Sequence, residues 1–571
     1  MAEAYNARSA ELKALDKARS ADPEWYKRGN MFGMTMYTDL FAGNLKELAK
    51  KLPYLKEQKL TYLHLMPLLQ MPHPHNDGGY AVEDFDTVDP ALGTNKDLEN
   101  LTRELRKAGI SLCLDFVMNH TASTHRWAMA AKAGDPWFQA YYHLYDDRTI
   151  PDQYEQTVPQ VFPNTAPGNF TWCEEMHKWV LTTFHDYQWD LNYANPMVFN
   201  DMVGNMLYMA NRGIDVIRLD AVPYIWKQIG TNCRNLPQVH TLVRMMRIIS
   251  EIVCPGVLLL GEVVMEPSKV VPYFGTVDKP ECHMLYNVTT MASTWNTIAT
   301  KNVGLLKRQM DQVCALPKDY VFLNYLRCHD DIGWGLDYDW LAQFGIDEVA
   351  HKKFLNDYFT GKGYNSDSRG ELYNDDPRLG DARLCGTTAS LSGLEAGQYE
   401  ANADKIEQAI ACDLMLHGYL LAQSGIPVLY SGDEIGQTND YTYKNDPDKC
   451  ADSRYLHRGN FPWDKVENKD PVAMKIFDAL RHMEDIRASH DVFSCNANVY
   501  TIETGCASVL GIVREYAGHE LRAFFNFSNM DQLIWTMPDD QADIYTDLIS
   551  GKTLRELGAV MPRYGCWWFY R

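Results

Sequence analysis

The chain is 571 residues long, 46% hydrophobic and 23% charged, which is the make-up of a folded globular protein with room for one large domain and smaller ones. A formal net charge of −21 argues against nucleic acid or an anionic membrane surface as partner and leaves neutral ligands open. No run approaches eighteen uninterrupted apolar residues, so no membrane-spanning helix is expected.

Residues 1–30 are polar and charged and read as one short helix with a lead-in; they lack the apolar core of a signal peptide. From Met31 a rhythm sets in of amphipathic helix, glycine or short turn, then short apolar strand. Its clearest unit is Lys96–Ala108, where Leu98, Leu101 and Leu105 share a helical face, Gly109 fits the C-terminal cap and Ile110–Phe116 follows as a strand. The unit recurs at Met202–Arg212 with Ile214–Leu219, and at Ala411–Ser424 with Ile426–Tyr430. Eight strands are predicted: Gly33–Tyr37, Tyr62–Met66, Ile110–Phe116, Ile214–Leu219, Val257–Gly261, Met284–Asn287, Val321–Tyr325 and Val428–Tyr430. Apolar strands alternating with helices imply a parallel sheet covered on both faces, and eight of them fit a (β/α)₈ TIM barrel. The expected organisation is a lead-in over 1–30, a barrel over 31–490 and an antiparallel β domain over 491–571. Insertions are expected at 121–190, after strand three, and at 332–395, after strand seven. The thirteen cysteines include no CxxC pair, which points to reduced thiols and a cytoplasmic setting.

Charged residues gather just beyond the strands. Strand three leads into Asp115–His120, strand four carries Arg218 and Asp220, and strand five ends at Glu262. Strand seven leads to His329, Asp330 and Asp331, and strand eight to Asp433 and Glu434. A lone Asp there would be read as a helix cap. Several carboxylates with an Arg and two His point to glycoside cleavage, in which one carboxylate attacks the anomeric carbon and another protonates the leaving oxygen. Arg218, two residues before Asp220, points the same way along the strand and can keep Asp220 ionised. His120 and His329 can donate hydrogen bonds to sugar hydroxyls.

DFVMNH at 115–120, GIDVIRLDAV at 213–222, GEVV at 261–264 and CHDD at 328–331 resemble the four signature regions of the α-amylase superfamily, glycoside hydrolase family 13. The resemblance implies Asp220 as nucleophile, Glu262 as acid/base and Asp330 as transition-state stabiliser, with His120, Arg218 and His329 in the donor subsite. NDGGYAVEDFDTVDPALGT at 76–94, TTFHDYQWDLNYANP at 182–196, AVPYIWKQIGT at 221–231, HDDIGW at 329–334 and DSRYLHR at 452–458 are similar to amylosucrases. This further resemblance implies an Asp77–Arg454 ion pair at the pocket floor, Tyr80 as a stacking platform and Phe184 and Gln188 as lining. Asp331 and Arg383 would face the fructosyl or acceptor side. The chain departs from the best-known amylosucrase at Pro159 and Pro223, where an Arg and an Ala stand. The implied activity is glucosyl transfer from sucrose to an α-1,4-glucan, with no cofactor; hydrolysis of sucrose or another α-glucoside is the alternative. A non-catalytic glucan-binding barrel is disfavoured, because all three carboxylates are present. The resemblance implies no required metal, although Asn119 and nearby carboxylates could serve as Ca²⁺ ligands.

Overall fold

The computed structural model describes residues 1–265, 267–375, 382–535, 545–554 and 558–571. Eight parallel strands close into a barrel: β1 (Gly33–Met36), β2 (Tyr62–Leu65), β3 (Ser111–Val117), β4 (Val216–Asp220), β5 (Leu258–Gly261), β6 (Met284–Tyr286), β7 (Val321–Asn324) and β8 (Ile426–Tyr430). All eight predicted strands are present. Their side chains are buried almost throughout, as continuous apolar runs covered on both faces require. β8 begins two residues before the predicted segment and takes in Pro427, which the register sets opposite Asn324. The amphipathic helix α1 (Asn95–Lys107) starts with a reciprocal Thr94–Asp97 capping box. It ends at Gly109, whose φ of +77° is open to glycine at little cost.

By contact density the chain forms two compact units. The first comprises Met1–Trp25, Met36–Pro53 and Tyr62–Tyr286. Its N-terminal segment holds two helices, Ala2–Ala7 and Ala10–Ala21, where one was expected. Arg8 explains the second: its guanidinium grips Asp16, with Nη2 to Oδ1 at 2.7 Å, and donates to the carbonyl of Ala210 at 3.0 Å, all buried. A buried Arg–Asp pair is invisible in a polar sequence. The insertion after β3 carries a three-stranded sheet of 144–145, 178–181 and 170–173, and Gln188–Asp190 pairs antiparallel with His120–Ala122.

The second unit comprises Tyr26–Thr35, Tyr54–Thr61 and Asn287–Arg571. Its insertion after β7 contains the helix Glu348–Phe359 and a hairpin of Glu371–Tyr373 with Arg383–Cys385. Residues 376–381 of the insertion expected at 332–395 lie outside the described residues. At the C-terminus β9 (Asn498–Ile502), β10 (Val509–Tyr516) and β11 (His519–Asn526) form a meander. Cys566–Tyr570 extends it along β11, which gives the expected antiparallel sheet. Two buried guanidiniums brace this sheet on main-chain carbonyls. Arg514, on β10, donates to Ala422, Gln423, Val492 and Ser494 at 2.8–3.1 Å. Arg487 donates to Leu421 at 2.9 Å and to Met31 at 3.3 Å.

The same unit buries a group of acids. Tyr54 donates its hydroxyl to Glu434 at 3.1 Å, the Gly432 N–H donates to the other Glu434 oxygen at 2.6 Å, and His417 Nδ1 meets Asp413 at 3.0 Å. Burial pushes Glu434 up to about 7 and Glu484 up to about 8. Burial would lower His417, but Asp413 outweighs it and carries the imidazole to about 9. All three pKa values are raised in the folded state. Their stability contribution is therefore full below the unfolded values and is lost as pH rises through about 7 to 9. Denaturant melts should show stability falling by a few kcal/mol between pH 5 and 9. Glu484→Gln should flatten that slope; an unchanged slope would refute the assignment.

Candidate active site

In the first unit the site is built on the C-terminal ends of β3, β4 and β5. Side chains alternate along a strand, so Arg218 and Asp220 project to the same side of β4. Arg218 Nη1 meets Asp220 Oδ1 at 2.7 Å and also contacts Asp115 Oδ1; Nη2 lies 3.7 Å from Glu262 Oε1. One buried guanidinium thus serves three carboxylates. Asp115 is held in turn by His64 Nε2 at 2.8 Å and by the Tyr80 hydroxyl at 3.1 Å. Ala221, directly after Asp220, has a left-handed backbone (φ +48°), a strained conformation for a residue with a Cβ. It aims its N–H at Glu262 Oε2, 2.8 Å away. Gly261 precedes Glu262 because a Cβ there would come within 2.7 Å of Cys282 Sγ and 2.8 Å of Leu285. Burial pushes the Asp220 carboxyl well above the ordinary range; Arg218 pulls it down, while Glu262 and Asp115 push it up. Arg218 is thus the group that favours ionised Asp220.

Five of the residues expected to bind substrate meet at one wall. Gln188 Nε2 donates to Asp77 Oδ2 and to the Tyr80 carbonyl, both at 3.3 Å. His185 Nε2 is 3.6 Å from Asp77 Oδ1. The His120 ring lies 5.3 Å from that of Phe184. Burial lowers the His120 pKa, which favours the neutral ring; in that form Nδ1 accepts from Asn119 Nδ2 at 3.3 Å and Nε2–H donates to the Tyr80 carbonyl at 2.9 Å. A sugar hydroxyl reaching His120 would share that hydrogen. Tyr80 is buried, with Arg218 5.6 Å from its ring centroid.

In the second unit the chain beyond β7 carries His329, Asp330 and Asp331. Asp330 Oδ1 faces Arg454 Nη1 at 3.7 Å and Arg458 Nη2 at 3.6 Å, and Oδ2 faces His329 Nε2 at 3.3 Å. Arg454 is itself held by Asp452, with Nη2 to Oδ2 at 2.6 Å. Asp331 pairs with Arg383 Nε at 3.5 Å; burial raises its carboxyl despite that pairing. Behind them Arg458 Nε and His457 Nε2 both bond the His329 carbonyl, at 2.7 and 3.0 Å. Arg327 ties the His457 carbonyl at 3.2 Å to Asp433 at 2.8 Å.

Asp115, His64, His457 and Arg458 were not among the expected site residues. Asp115 had a signal, a lone acid inside the otherwise apolar run of β3. Lys227 had none. Its ammonium, fully buried, contacts Asp190 Oδ2 at 2.5 Å, the Tyr224 carbonyl at 2.6 Å, Asn119 Oδ1 at 3.0 Å and Thr183 Oγ1 at 3.2 Å. Burial would raise Asp190, but Lys227 outweighs it and holds the carboxyl below the ordinary range. The oxygens around Asn119, considered above as Ca²⁺ ligands, thus surround a fixed cation of the chain itself.

Residues 19–332 match the family model described as "Alpha amylase, catalytic domain". Trehalose synthase/amylase TreS of Mycobacterium tuberculosis is 26% identical over 591 aligned positions, covering 97% of this chain and 91% of that protein. Glucosylglycerate phosphorylase of Allomeiothermus silvanus is 28% identical, covering 88% and 84%. Among solved structures, trehalulose synthase MutB from Pseudomonas mesoacidophila MX-45 superposes with a TM-score of 0.71 at 18% identity, covering 95% of this chain and 99% of that one. With the family model spanning more than half of the chain and the barrel closed as that family requires, this protein belongs to the α-amylase family.

Proposed function

We propose that the protein is a retaining glucosyltransferase that forms a covalent glucosyl–Asp220 intermediate. The observation that carries this reading is the single guanidinium of Arg218 shared by Asp115, Asp220 and Glu262 at the ends of adjacent strands. A nucleophile must be ionised beside an acid that keeps its proton, and the positive charge at 2.7 Å favours ionisation of Asp220. Glu262 protonates the leaving oxygen, then takes the proton of the incoming hydroxyl. Asp330 offsets the positive charge that develops at the anomeric carbon. Two displacements at one carbon retain its configuration.

The donor is sucrose, with fructose as leaving group, and the acceptor is the end of an α-1,4-glucan. The motifs at 76–94, 182–196 and 452–458 support this choice. In this reading Asp77 and Arg454 each serve the glucosyl donor, and Asp331 with Arg383 guides the acceptor. The test is product analysis after incubation with sucrose alone, with sucrose plus glycogen, and with trehalose. Fructose released in excess over glucose, together with new glucan, is expected. Equal fructose and glucose would mean a hydrolase, and turnover of trehalose without turnover of sucrose would refute the donor.

Arg383→Ala tests the acceptor side. It removes the partner of buried Asp331 while leaving the Arg218 cluster intact. Glucan formation should fall several-fold more than fructose release, so that the ratio of free to transferred glucose rises. An unchanged ratio would remove Arg383 from acceptor handling.

A further inference from the structure

We infer that Cys328, His329 and Asp330 form an inhibitory site for a thiophilic divalent cation such as Zn²⁺. Sγ of Cys328, a ring nitrogen of His329 and a carboxylate oxygen of Asp330 all lie within 4.8 Å of one another. The His329 Nε2 to Asp330 Oδ2 separation is 3.3 Å. Ligand atoms around a tetrahedral zinc ion with one sulfur stand about 3.3–3.6 Å apart. Two of the three ligands therefore already have the spacing the metal demands, and a side-chain rotation of the thiol supplies the third. A solvent water completes the tetrahedron.

The set is held from behind. The His329 carbonyl is fixed by Arg458 and His457, and the Asp330 N–H is 3.4 Å from Cys328 Sγ. Arg454 and Arg458 approach Asp330 through Oδ1, at 3.7 and 3.6 Å, which leaves Oδ2 toward the metal. Their two positive charges oppose a dication, so the site binds zinc more weakly than a structural site does. Cys328 is partly exposed, and a thiolate with an imidazole selects zinc-like ions over Mg²⁺ or Ca²⁺. Binding releases the thiol proton to solvent and takes Oδ2 of Asp330 out of use. The inhibition, though not the binding, rests on the role proposed above for Asp330.

The experiment measures the two separately on the full-length protein. Co²⁺ is titrated while thiolate-to-cobalt absorption is recorded, Zn²⁺ is titrated by calorimetry, and turnover is followed at rising Zn²⁺. The native protein should show the thiolate band, bind Zn²⁺ and lose activity, with recovery on EDTA. Cys328→Ser and Cys328→Ala should retain native turnover and melting temperature, lose the band, and need at least about tenfold more Zn²⁺ for the same inhibition. Absence of the band, or equal zinc affinity in both variants, would overturn the site. Thiolate-bound metal with full activity would overturn the inhibition and with it the role of Asp330.

Discussion

Asp220→Asn is expected to lower turnover by at least about 10⁴-fold, equivalent to roughly 5.5 kcal/mol of transition-state stabilisation. An amide neither attacks the anomeric carbon nor carries charge. Folding should survive, because Arg218 keeps Asp115 and Glu262 as partners. Glu262→Gln should be as damaging on sucrose but much less so on glucosyl fluoride, whose leaving group departs without a proton. Asp220→Asn should gain nothing from the fluoride. Initial rates on both donors check this: a rescue of Asp220→Asn, or none for Glu262→Gln, would exchange or remove the two roles.

The second large effect concerns Lys227. Lys227→Met would leave the buried Asp190 carboxylate without its cation and Asn119 Oδ1 deprived of a donor. Breaking one side of a buried ion pair costs about 3–5 kcal/mol, and a urea melt of native and variant protein reads that loss directly. Lys227→Met combined with Asp190→Asn should recover part of it, since no lone charge then remains. Because the ammonium already serves these oxygens, EDTA should leave native stability and activity unchanged. A loss below about 1 kcal/mol, or inactivation by EDTA reversed by Ca²⁺, would show that a metal and not Lys227 organises this part of the insertion.

The contrast between these two sets of residues explains what was legible in the sequence. The barrel strands could be read because each is a short apolar run following a helix and a glycine. Asp220 and Glu262 could be singled out because acids stand directly at the ends of such runs, and Asp330 because it falls in the CHDD motif at 328–331. Their supports could not. Lys227 sits in YIWKQIG and looks like a solvated lysine until Asp190, thirty-seven positions upstream, folds over it. Arg458 and His457 act through the carbonyl of His329, and a contact to main chain leaves no mark in residue type. Arg8 and Asp16 look like two unrelated surface charges eight residues apart, yet both are buried. Charged residues reveal their partners only through long-range packing, and periodicity carries no such information.

Arg487 and Arg514 spend their donors on carbonyls at Leu421, Ala422 and Gln423, where the helix Ala403–Ala422 runs out of N–H partners. A helix end satisfied by side chains from a later helix and from a β-strand is not an autonomous end. The last turn of that helix, the helix Pro471–Ser489 and strand β10 must gain or lose their order together. The C-terminal sheet therefore acts as a clasp on the second unit. On heating, this unit should open in a single cooperative transition, with no earlier melting step for the sheet.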